Sequence, residues 1–207
     1  KIRTNLSYIN PNYKTIAISS SISGEGKTFV ALNLGGIIAM SGKRTILLDL
    51  DLRKPKVHLG FGVDNKKGMS TVLSGSTKVE ECINKSEVEG LDFITAGPIP
   101  PNPSELIINN KIKDVISKLE GMYDQVIIDN PPIGLISDGL HIYDLVDIPI
   151  YIFRTNYSKR NFSTRVNELV EEGKIHNLSV ILNGFSSTRK GYGYGYGYGY
   201  GNYYEED

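Results

Sequence analysis

Ser19-Ser20-Ser21-Ile22-Ser23-Gly24-Glu25-Gly26-Lys27-Thr28 is the stretch on which the reading of this chain turns. The residues before it, Lys14-Thr15-Ile16-Ala17-Ile18-Ser19, are apolar and β-branched in the manner of a buried strand, and Phe29-Val30-Ala31-Leu32-Asn33-Leu34 after it opens a helix. A glycine-rich turn between a strand and a helix is suited to an anion. Gly24 and Gly26 let the backbone turn so that successive N–H groups face one concavity at the helix N-terminus, where the helix dipole also favours negative charge. Lys27 is then placed for the β- and γ-phosphates of a nucleotide, and the Thr28 hydroxyl for Mg²⁺. The pattern is that of a P-loop, with Ser21 where its first glycine is expected. Taken alone, the fragment also fits a plain glycine turn beside a solvated lysine.

Carboxylates elsewhere favour the phosphate reading. Arg44-Thr45-Ile46-Leu47-Leu48-Asp49 and Gln125-Val126-Ile127-Ile128-Asp129 both read as buried strands that end in an acid, and Asp51 follows two residues after Asp49. In a parallel sheet, ligands bind outside the carboxyl ends of the strands, so such acids are brought beside the glycine loop. There they can hold Mg²⁺ or take a proton from an attacking hydroxyl. A lone aspartate after a strand is more often a turn or cap residue, but two such strands flanking one P-loop argue against coincidence. Arg53 and Lys54 fit equally a phosphate contact or a solvated pair.

Further strands are expected over Leu91-Asp92-Phe93-Ile94-Thr95, Ile148-Pro149-Ile150-Tyr151-Ile152-Phe153 and Leu178-Ser179-Val180-Ile181-Leu182. Helices are expected from Thr28 to about Met40, from a Ser104 cap through Leu119, and from about Lys159 to Gly173, with a short one before Asn10-Pro11-Asn12. Residues 54–90 are broken by Gly60, Gly62, Gly68 and Gly75 into short covering helices. Strands alternating with helices give an α/β fold, a doubly wound, mainly parallel sheet flanked by helices. With 207 residues, 40% of them hydrophobic, the chain suits one such domain. The 23 basic and 23 acidic residues balance, so nucleic acid is not expected as a principal partner. Cys82 is the single cysteine and reads as a small buried hydrophobe of a reduced, intracellular chain. No apolar run reaches membrane-spanning length and no signal pattern opens the chain, so it is expected to be soluble.

The domain is expected over residues 1–185 and a separate tail over 186–207. The tail carries Tyr192, Tyr194, Tyr196, Tyr198, Tyr200, Tyr203 and Tyr204, the first five alternating with glycine, and ends in Glu205-Glu206-Asp207. Alternate glycines leave half the positions without a side chain to pack, so disorder or several conformations are expected.

These residues together resemble the bacterial tyrosine kinases of capsule and exopolysaccharide production. The resemblance covers nearly the whole chain. It rests on Ser23-Gly24-Glu25-Gly26-Lys27-Thr28, on the second Walker-type motif Ile46-Leu47-Leu48-Asp49-Leu50-Asp51-Leu52-Arg53, and on Ile127-Ile128-Asp129-Asn130-Pro131-Pro132. Gly97-Pro98-Ile99-Pro100-Pro101-Asn102-Pro103-Ser104-Glu105-Leu106 and the tyrosine cluster complete it. Asn130 stands where the family has threonine and Ser23 where it has proline. The resemblance implies an ATP-dependent tyrosine kinase that modifies its own tail, between subunits, at these seven tyrosines. It implies an ATP site at Ser23, Gly24, Glu25, Gly26, Lys27, Thr28 and Phe29, Mg²⁺ at Thr28, Asp51 and Asp129, and catalysis by Lys27, Asp49 and Asp51, with Asp49 near the incoming phenol. It also implies a transmembrane activator segment of a polysaccharide co-polymerase, a place on the cytoplasmic face of the inner membrane, and a homo-oligomeric ring. The ring motif would have its last arginine at Arg3 and its other members at or before the start of this sequence, so the chain reads as a piece of a longer protein and is expected to be monomeric as it stands. Two other readings stay open: a partition- or Min-type ATPase switch, whose second P-loop lysine is here Ile22, and a non-catalytic nucleotide-binding assembly module.

Overall fold

The computed structural model describes residues 1–133 and 138–185. Helix α1 (Ile2–Ile9) precedes strand β1 (Thr15–Ser20), which runs through the glycine loop into α2 (Lys27–Ala39) and then β2 (Thr45–Asp49). The covering segment holds α3 (Val57–Phe61), α4 (Met69–Ser74), a 3₁₀ turn (Val79–Cys82) and the two-residue β3 (Asn84–Lys85). β4 (Leu91–Ile94), α5 (Pro103–Ile108), α6 (Lys111–Glu120) and β5 (Gln125–Asp129) follow, then α7 (Asp138–Tyr143), β6 (Ile148–Arg154), α8 (Arg160–Glu171) and β7 (Ser179–Asn183).

The strands form one sheet in the order β3-β4-β2-β5-β1-β6-β7, parallel except where β3 runs antiparallel to β4. Side chains alternate across each strand, and this alternation builds two cores. Ile46, Leu48, Val126 and Ile128 pack on one face with α6 and α8, while Leu47, Ile127, Ile16 and Ile18 pack on the other with α2. Gly35 of α2 sits against the sheet, where an added Cβ would lie 3.3 Å from the Leu91 side chain. The expected doubly wound, mainly parallel α/β sheet is therefore what the chain forms. The order brings β1 between β5 and β6 and puts β2 beside β5, so three successive strand ends meet at the glycine loop.

One expected helix differs. The segment after Pro103 divides into α5 and α6 because Asn109 is extended (ψ 140°) and its Oδ1 accepts the Lys111 N–H at 3.2 Å, competing with the helical pattern. Asn102, not Ser104, occupies the N-cap position, with Pro103 in the first turn where its missing N–H costs nothing. The Ser104 hydroxyl instead accepts from Arg53 Nη2 at 2.6 Å. Cys82 is buried, with the Thr77 hydroxyl 3.3 Å away. Among the described residues no helix is long and apolar enough to cross a membrane.

Candidate active site

β1 ends at Ser20, and the chain turns through Gly24 (φ +94°) and Gly26 (φ +97°) before α2 begins at Lys27. Both angles lie in the left-handed region that glycine alone enters at little cost. Ile18 pairs with Asp129 across β1 and β5, and Asp49 pairs with Asp129 across β2 and β5. Parallel pairing thus brings two strand-end acids side by side under the loop, with Asp51 just beyond.

Lys27 closes this group. Only 7% exposed, its ammonium lies 2.8 Å from Asp51 Oδ2 and 3.2 Å from Asp129 Oδ1. Burial alone would lower its pKa, but the charges of Asp129 and Asp51 outweigh that and hold it above the usual lysine range. Burial pushes the Asp129 carboxyl up, against the opposing pull of Lys27. The Thr28 hydroxyl donates to Asp129 Oδ2 at 2.5 Å.

Asp49 is fully buried, and both of its oxygens accept backbone N–H groups: Asp51 at 3.1 Å on Oδ1, Lys56 at 3.2 Å and Val57 at 3.1 Å on Oδ2. Burial and the neighbouring Asp129 charge push its carboxyl above the usual range. Asp49 therefore holds the loop 50–57 in place, whereas Asp51 faces the cleft.

That cleft encloses about 190 Å³. Ser23, Gly24, Gly26, Lys27, Thr28 and Phe29 line it together with Asp51, and Lys56 contributes a further cation. Glu25 does not line it. Its carboxylate folds back under the loop, accepting the Ile22 N–H at 2.9 Å and the Ser158 hydroxyl. The donor set of the Thr28 hydroxyl and the Asp51 carboxylate is hard oxygen, which suits Mg²⁺. Asp129 has no exposed surface and acts on that set through Thr28 and Lys27.

Sequence reasoning missed Lys56 and the residues that hold the loop from outside, Arg154, Tyr157, Ser158 and Asn183. These lie 130 to 158 residues along the chain from their partners, and no local pattern marks them. The tail tyrosines Tyr192, Tyr194, Tyr196, Tyr198, Tyr200, Tyr203 and Tyr204 lie outside the described residues.

A family profile described as an AAA domain matches residues 13–178. Tyrosine-protein kinase YwqD of Bacillus subtilis is 34% identical over 185 residues, 88% of this chain and 78% of that protein. The chain belongs to the bacterial tyrosine kinases. The kinase domain of the Escherichia coli tyrosine kinase ETK matches this kinase with a TM-score of 0.85 at 30% identity, covering 95% of this chain and 78% of that one. Other curated relatives named as tyrosine-protein kinases, one of them for a cps region in Klebsiella pneumoniae, are longer, and the chain spans 16% to 22% of their length. The septum site-determining protein MinD of Pyrococcus horikoshii, solved with Mg-ADP, matches with a TM-score of 0.68 at 25% identity, covering 82% and 69% of the two chains. The kinase thus has the fold of nucleotide-binding P-loop proteins.

Proposed function

We propose that this kinase transfers the γ-phosphoryl group of ATP to tyrosines of its own C-terminal run 186–207, between subunits of an oligomer. The observation that carries the reading is Lys27, whose ammonium is buried against Asp51 and Asp129 at the floor of the glycine loop. Lys27 exchanges its carboxylate contacts for phosphate oxygens when ATP enters, so its charge is present where negative charge develops. Asp51, on the cleft wall, accepts the phenol proton as the tyrosine oxygen bonds to the γ-phosphorus. The bond to the bridging oxygen breaks, and ADP leaves with that electron pair. Asp49 serves by position, through its grip on the N–H groups of Asp51, Lys56 and Val57. The Thr28 hydroxyl and the Asp51 carboxylate, with Asp129 behind them, would hold Mg²⁺, which would supply charge neutralisation on the phosphates.

Glycines remove the steric obstacle to threading the tail into a cleft, and its roughly 20 residues stretch about 65 Å at ~3.3 Å each, enough to reach a neighbour. Each phosphate brings about −1.5 to −2 charges at pH 7, so a modified tail is repelled by Glu205, Glu206, Asp207 and the acidic site, which loosens the assembly. The likeness to capsule-locus kinases supports a role in polysaccharide polymerisation and export, at the cytoplasmic face of the membrane, with a co-polymerase segment as activator and a ring as the assembled state. Incubation with Mg-ATP followed by phosphopeptide mapping tests this. Most phosphate is expected beyond residue 191, and Lys27→Met is expected to carry none. Phosphate confined to other tyrosines, or an equally modified Lys27→Met, overturns it.

A further inference from the structure

The outer side of the glycine loop is gripped at three consecutive carbonyls. Tyr157 donates its hydroxyl to Ser23 O at 3.0 Å, Arg154 Nη1 donates to Gly24 O at 2.9 Å, and Asn183 Nδ2 donates to Glu25 O at 3.0 Å. All three donors come from the ends of β6 and β7 or the turn between β6 and α8, not from the strands that carry the acids. They also hold one another. The Arg154 guanidinium lies over the Tyr157 ring at 5.2 Å, and the Thr155 hydroxyl bonds Asn183 O at 2.9 Å. Beneath them, the Arg154 N–H donates to the Ser158 hydroxyl at 2.7 Å, which in turn donates to the buried Glu25 carboxylate.

Within one peptide unit the C=O and the next residue's N–H point in opposite directions, because the unit is planar and trans. Holding the carbonyls of residues 23, 24 and 25 outward therefore aims the N–H groups of Gly24, Glu25 and Gly26 inward. Among the described residues those three N–H groups have no hydrogen-bond partner. The fit is close: a Cβ on Gly24 would sit 2.5 Å from the Tyr157 hydroxyl, and one on Gly26 would sit 2.1 Å from Asn183 Nδ2. A loop left free would have to order these peptide planes on binding. One already clamped has that entropy removed beforehand.

We infer that Arg154, Tyr157 and Asn183 are positioning residues for the phosphate cradle, acting by clamping the three loop carbonyls so that the opposed N–H groups are aimed at the nucleotide's phosphates before it arrives. This rests on the reading of the cleft as the nucleotide site. Neither the P-loop motif nor the strand-end acids contain these residues.

Calorimetric titration of the whole chain with ATP and, separately, with tripolyphosphate tests it, using Tyr157→Phe, Asn183→Ala and their combination. Tyr157→Phe keeps the ring under Arg154 and removes only the donor. Each single variant is expected to bind both ligands about fivefold more weakly, and the pair more weakly than either single variant, while thermal unfolding without ligand shifts little for Tyr157→Phe. Equal losses for the two ligands assign the effect to the cradle. Loss for ATP with unchanged tripolyphosphate binding would mean a contact to the base and overturns the clamp, as does binding at the level of the unaltered chain. Lys27→Met in the same titration separates the two ideas. If it weakens ATP binding while the clamp variants do not, only the clamp fails; if none of them does, the nucleotide reading of the cleft fails as well.

Discussion

Replacing Lys27 by methionine is expected to cost stability as well as activity, because the ammonium is the counter-charge for two buried acids. Asp51 is 4% exposed and Asp129 has no exposed surface, and the contacts of 2.8 and 3.2 Å are made in a site that water barely reaches. Removing one member of a buried ion pair strands the other, at a cost of about 3–5 kcal/mol out of a total stability of about 5–15 kcal/mol. For a chain of this size, about 2–4 °C of melting temperature accompanies each kcal/mol, so the midpoint should fall by roughly 6–20 °C. Far-UV circular dichroism melts of the unaltered chain, Lys27→Met, Asp51→Asn and the double variant give the assay. Lys27→Met with Asp51→Asn is expected to regain part of the loss, since one of the stranded charges is gone, and this non-additivity is the signature of direct coupling. A Lys27→Met protein melting within about 2 °C of the unaltered chain, or strictly additive effects in the double variant, would refute the reasoning about the buried pair.

Chelation of divalent metal by EDTA before ATP is added should abolish phosphotyrosine formation on an immunoblot, and undiminished modification would remove Thr28 and Asp51 as a metal site. Gly68→Ala should destabilise by more than ~2 kcal/mol in urea unfolding, because a Cβ there would lie 2.1 Å from Thr95 O and 2.5 Å from Gly97 N, backbone atoms with no rotamer to yield. Burial pushes the Tyr151 phenol up to about 12, against the opposing hydrogen bond with Ser21. Its neutral form is thus favoured in the folded state, so the associated stability is intact below about pH 10 and is lost as pH rises through about 12. Tyr151→Phe should flatten that alkaline loss in urea midpoints measured between pH 9 and 11.5, and an unchanged slope would count against it.

What the sequence by itself determined was everything carried by local pattern. Runs such as Ile46-Leu47-Leu48-Asp49 and Val126-Ile127-Ile128-Asp129 declare buried strands with acids at their ends, and Gly24-Glu25-Gly26-Lys27-Thr28 declares an anion loop, because side-chain alternation and glycine spacing act over a few residues. The parallel α/β sheet follows from their succession. The tertiary structure alone decided where each acid sits. Asp49 and Asp51 differ by two positions and look alike in sequence, yet one is enclosed by the N–H groups of residues 51, 56 and 57 while the other looks into the cleft, a difference set by how the loop after β2 folds back. It alone split the helix at Asn109, where a side-chain acceptor competes with the backbone for one donor. And it alone brought Arg154, Tyr157 and Asn183 onto the carbonyls of residues 23 to 25, since β6 and β7 reach the glycine loop only through sheet order, which pairs β1 with β6 across more than a hundred residues of intervening chain and sets β7 beside β6.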